Sequence, residues 1–195
     1  VVFNMIILSL AGNTGVAAYG VVANTSLVAV ALFNGIAQGS QPLISECYSK
    51  GQKKEVLSLL KMAIVTTLAT ASLLYIFIYL CAPAVTAVFN GGHGQILAAY
   101  AQSGLRLYFI GFFFAGMNIV GTAVLSAVES AKFAFAASIL RGFVAIILFA
   151  FALSAILGMT GVWLAFPAGE FVTLFITSAG LIQILKNHTK YISAN

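Results

Sequence analysis

Residues Asn34 to Lys50 read NGIAQGSQPLISECYSK. The stretch lies in a strongly apolar chain, yet it brings two glycines, a proline, two glutamines and an asparagine into a segment expected to cross a membrane. Asn34, Gln38 and Gln41 recur at spacings of four and three, so on a helix they share one side. Amides facing lipid are costly, and that side is expected to face protein or a water-filled cavity. Gly35 and Gly39, four apart, offer a small-xxx-small face to a second helix. Pro42 lacks a backbone donor and is expected to bend the segment. Two readings stay open on these residues alone. One is ordinary interhelical hydrogen bonding, at about 0.6–2 kcal/mol per bond, with close packing. The other is a kinked helix lining a transport cavity.

Composition supplies the membrane. The chain has 195 residues, of which 62% are hydrophobic and 7% charged, with a mean hydropathy of +1.08. A soluble domain carries about 25% charged residues. With so few, most of this chain must be solvated by lipid. Six apolar segments follow: Val1 to Gly12, Val16 to Cys47, Val56 to Ala82, Ile96 to Leu125, Phe133 to Leu157, and Gly161 to Leu185. The expected fold is all-α and integral to the membrane, a single six-helix lobe over residues 1–195 with no soluble domain. The first segment is short, and the sequence opens inside an apolar run at Val1. A longer chain, of which this is one half, is therefore expected.

The net charge of +5 does not point to nucleic acid, because the nine basic residues form no single face. Lys50, Lys53, Lys54 and Lys61 flank the second connection, Lys132 the fourth, and Lys186 and Lys190 follow the sixth segment. The first, third and fifth connections hold no Lys or Arg. This alternation predicts a multi-pass protein of the cell (inner) membrane with both ends cytoplasmic.

Charges inside the membrane are functional-site candidates with partners to name. Here they are Arg106, Arg141 and Glu170. Arg106 lies about ten residues into the fourth segment and Glu170 about nine into the sixth. Both segments begin on the same side, so equal rise predicts similar depth and a shared polar network. Arg141 is expected to snorkel toward head groups. Asn118, between Gly116 and Gly121, is a candidate to line the same cavity as Gln38 and Gln41, with packing the alternative. The Phe-rich run from Phe109 to Gly116 reads either as lipid-facing bulk or as adaptable apolar contact for organic cations. Cys47 and Cys81 fall at opposite ends of adjacent segments, which predicts no disulfide. His93 lies in an uncharged turn and His188 in a basic tail, neither with a metal or catalytic neighbour. The chain contains no Asp, and both histidines lie outside the segments, so an intramembrane protease lacks its catalytic groups. No repeated filter loop or charge ring marks a passive channel.

Three stretches carry a family resemblance. GIAQGSQPLISECYSKGQ (35–52) resembles the second helix of the C-terminal lobe in the multidrug and toxic compound extrusion (MATE) transporters, keeping Gly35, Gln38, Gly39, Gln41, Pro42 and Tyr48. It departs from the family pattern at Cys47 and Ser49. SAVESAKFAFAASILR (126–141) resembles the link between the fourth and fifth helices of a lobe, including its arginine. GVWLAFPAGEF (161–171) resembles the last helix, with Pro167 as its bend and Glu170 as its acid. The resemblance covers about residues 15 to 185. It implies one lobe of a twelve-helix antiporter that exports organic cations or amphipathic drugs against Na⁺ or H⁺, with an N-terminal lobe as partner and no other cofactor. A lipid-linked oligosaccharide flippase is the alternative within the superfamily. Such a cavity needs several cations to hold pyrophosphate, and only Arg106 and Arg141 are available.

Overall fold

The computed structural model describes residues 2–90, 94–128 and 130–192. Seven α-helices and one π-helical turn account for nearly all of them: α1 (Val2–Ser49), α2 (Lys53–Asn90), α3 (Gly94–Tyr108), α4 (Gly111–Ala127), α5 (Ala131–Ile139), the π turn (Leu140–Val144), α6 (Ala145–Leu157) and α7 (Met159–Ile192). His93 and Glu129 lie outside the described residues.

The 48 residues of α1 would be about 72 Å long if straight, more than twice the ~30 Å hydrocarbon core. Gly12 divides them. Its φ of 59° and ψ of −157° are not helical, and only glycine adopts such a conformation freely. The Phe3 ring stacks on Tyr19 with centroids 5.5 Å apart. Sixteen residues of unbroken helix would hold them about 24 Å apart. The chain therefore doubles back at Gly12, and α1 supplies the first two of six spans. The turn is tighter than the Gly12–Gly15 connection expected from sequence, since helix resumes at Asn13.

Pro83 does not end the third span, which continues to Asn90. Proline forfeits one intrahelical hydrogen bond, but its φ suits a helix, and membrane helices tolerate the loss. Pro42 and Pro167 likewise sit inside continuous helices, and Gly12 is the one non-helical residue within α1. The fourth span breaks between Tyr108 and Gly111, where α3 and α4 meet at 47°. The fifth span is α5, the π turn and α6 in sequence; the sixth is α7.

Packing is organised around α3 and α4. Lipid tails are as apolar as the side chains, so helices associate through close fit rather than hydrophobic exclusion. Small residues make that fit. A Cβ on Gly104 would meet Val22 and Trp163, one on Gly111 would meet Phe166, and one on Gly116 would meet Phe33 and Thr67. Phe33, Phe109, Phe112 and Trp163 are fully buried in the resulting core. The Phe-rich run thus turns Phe109 and Phe112 inward rather than to lipid, with Phe112 packed among Phe109, Tyr108 and Phe166. Large apolar side chains such as Leu73, Val88 and Ile156 cover the outside.

Candidate functional site

Between α1, α4 and α5 lies a cavity of about 570 Å³. One wall carries Asn34, Gln38 and Gln41, on the common side their spacing predicts. The facing wall carries Thr122 and Ser126 from α4, Phe135 and Ser138 from α5, and Arg141 from the π turn. Thr122 donates to the Asn118 and Ile119 carbonyls, Ser126 to that of Thr122, and Ser138 to that of Ala134. These hydroxyls spend their protons on their own helices. The amides of Asn34, Gln38 and Gln41 make no side-chain hydrogen bond among the described residues, and stay free to donate and accept. Pro42 has no N–H to give the Gln38 carbonyl, which leaves a further acceptor on this wall. Gly35 and Gly39 do not form the close helix contact expected of them. A Cβ at either would meet nothing within 4 Å, because their side of α1 faces away from the lobe.

Behind the cavity lies a buried ion pair. Arg141 Nε donates to Glu170 Oε1 at 2.8 Å; the arginine side chain is 28% exposed and the glutamate 4%. Asn118 Nδ2 donates to Glu170 Oε2 and to the Glu170 carbonyl, both at 2.8 Å. Thr177 Oγ1 donates to Asn118 Oδ1 at 2.9 Å. Every polar atom of the Glu170 carboxylate is thus met, as a charge in a membrane interior requires. Asn118 is fully buried in this network and does not line the cavity. The π turn has one residue more than an α turn, and it is there that Arg141 departs from the helix; π turns recur at functional sites.

Two sequence expectations are corrected here. Glu170 pairs with Arg141 rather than Arg106, and Arg141 does not snorkel to head groups. The fourth and sixth segments do not start level. They run parallel, with Gly104 against Trp163, near the start of α7, and Gly111 against Phe166. Arg106 is therefore level with the first turn and a half of α7, well short of Glu170. Its guanidinium carbon sits over the Tyr79 ring at 4.9 Å, and its Nε has no hydrogen-bond partner. The α6–α7 hairpin held the usable signal. Gly161 lies against Leu153 and Gly169 against Ala145, so residues equidistant from Leu157, beside the turn at Gly158, face each other. Counting outward places Arg141 opposite Thr173, one turn from Glu170 and within reach of a long side chain.

The family model MatE matches residues 1–152. No curated protein matches the sequence. Among solved structures, the chain superimposes on a multidrug resistance MATE family transporter of the MOP superfamily in its inward-facing conformation. The TM-score is 0.88 and the identity 20%, over 95% of this chain and 44% of that one. A MOP superfamily transporter from Pyrococcus furiosus, described as having a binding pocket of reverse polarity, gives 0.87 and 19% over 95% and 42%. The bent form of a Vibrio cholerae MATE transporter gives 0.87 and 16% over 96% and 42%. The chain spans less than half the length of each of these structures.

Proposed function

Since the chain belongs to the MatE family of multidrug and toxic compound extrusion transporters, we propose that it forms the C-terminal six-helix lobe of a cation-coupled antiporter. In this reading the complete protein exports organic cations and amphipathic drugs, driven by Na⁺ or H⁺. It sits in the cell membrane with both ends of this lobe cytoplasmic and faces an N-terminal lobe across the substrate path. The observation that carries the reading is the cavity of about 570 Å³, a size typical of small-molecule sites, with unpaired amides on one wall and Arg141 on the other. Amides left without partners at membrane depth call for water or cargo beside them. The flippase alternative draws less support. Among the described residues Arg141 is the one cation on the cavity wall, and Arg106 stacks on Tyr79 elsewhere.

The test is dye export by the complete transporter in proteoliposomes, under an imposed Na⁺ gradient, a proton gradient, or neither. Export that follows one gradient identifies the coupling ion. Export of no cationic dye under either gradient overturns the proposal.

A further inference from the structure

We infer that the cavity between α1, α4 and α5 holds its cargo by an anionic or strongly accepting group, such as a carboxylate, and that Arg141 is the contact. This deepens the transport reading above and rests on it.

Four observations carry the inference. Among the described residues Arg141 is the one ionisable side chain on the cavity wall, and no carboxylate lines it. Its counter-charge, Glu170, stands behind it and is shut off from the cavity by it. The pair is neutral as a whole, yet it presents its positive end to the open space. Within the described residues the guanidinium makes a single hydrogen bond, through Nε, so both terminal nitrogens keep their protons for a ligand.

The arginine is also held in place before any ligand arrives. Nε is fixed by Glu170, Glu170 by Asn118, and Asn118 by Thr177, a chain that ties the π turn to α7 and α4. A guanidinium fixed from behind offers its fork to a planar two-oxygen acceptor at little further cost in order. The amides of Asn34, Gln38 and Gln41 add donors on the opposite wall, whereas the hydroxyls of Thr122, Ser126 and Ser138 have none left to give. A cargo bearing only positive charge would meet Arg141 with no facing carboxylate among the described residues. A zwitterion satisfies both the antiport reading and this wall, with its acidic end on Arg141 and its cationic end pointing away.

Two dyes that differ by one methyl ester test the inference. Rhodamine 110 keeps a free carboxylate; rhodamine 123 is its methyl ester and purely cationic. Fluorescence anisotropy would measure equilibrium binding of each to the complete transporter in detergent. Rhodamine 110 is expected to bind about ten- to a hundredfold more tightly, the worth of one hydrogen-bonded charge. Arg141→Gln alone would strand a buried carboxylate, so the variant to use is Arg141→Gln combined with Glu170→Gln. In it the affinity for rhodamine 110 is expected to fall to that for the ester, while Arg141→Lys keeps part of the preference. Equal affinities in the native protein, a parallel loss for both dyes in the double variant, or no binding of either overturns the inference. Gradient-driven export separates it from the reading on which it rests. Dye preference without export sinks the antiporter alone, and export without preference sinks this inference alone.

Discussion

Arg141 and Glu170 meet at 2.8 Å where the fifth span loosens into a π turn, and this contact joins the cavity wall to the buried interior of α7. Removing one partner is much worse than removing both, because a lone carboxylate in a membrane interior has no water to fall back on. Arg141→Ala is expected to destabilise the protein by about 3–5 kcal/mol. Adding Glu170→Gln should return most of that loss. Unfolding midpoints of the two single variants and the double variant check this; additive losses would break the pairing argument.

Arg106 should behave as a stranger to this network. It stacks on Tyr79 from the last turn of α3, before the break in the fourth span. Arg106→Ala and Glu170→Gln are expected to add to within about 0.5 kcal/mol when combined. A larger coupling in the same unfolding assay would mean that the two charges communicate after all.

Asn118 serves Glu170 twice and is itself held by Thr177. Asn118→Ala removes a hydrogen bond to a charged group and should cost about 1.5–3 kcal/mol. Thr177→Val removes a neutral bond, one step further away, and should cost about 1 kcal/mol. Thermal unfolding that ranks the two the other way would place the strain elsewhere.

The glycines divide into two classes. At Gly116 a Cβ would lie 2.7 Å from Phe33 and 2.8 Å from Thr67, so Gly116→Ala forces the core apart at about 1–3 kcal/mol. Gly35 has open space at that position, and Gly35→Ala should leave the lobe unharmed or firm the helix by up to about 1 kcal/mol. Comparing melting temperatures of the two variants decides the point.

The doubling back at Gly12 can be tested by chemistry. Cysteines introduced at Phe3 and Tyr19, with Cys47 and Cys81 replaced by alanine, should be bridged readily by a short bifunctional thiol reagent. An unbroken helix would hold these positions about 24 Å apart, and failure to cross-link would favour it.

Much of this was legible in the sequence. The apolar runs and glycine turns located six spans, and the spacing of Asn34, Gln38 and Gln41 put them on one side. Periodicity along one helix is a local property, which is why it could be read. The partner of Glu170 is a property of register between helices. Counting from segment ends misplaced it, because α3 is entered well before the level at which α7 begins and the span then bends by 47°. The third segment was expected to end at Ala82, yet its helix continues through Pro83 to Asn90, and the non-helical residue of α1 falls at Gly12. Asn118 looked like a neighbour of Gln38 and Gln41, but the opposite flank of α4 carries it inward to Glu170.

The turn at Leu140–Val144 makes the site sensitive to a tally of residues and not only to their kinds. Deleting a single residue there would return the span to ordinary helical winding, leave both halves in phase and remove the wide turn from which Arg141 departs. The guanidinium would then point elsewhere with every side chain still present. Insertions and deletions in this turn therefore threaten the site more than most substitutions around it, and length is what to compare when other chains of this type are aligned to it.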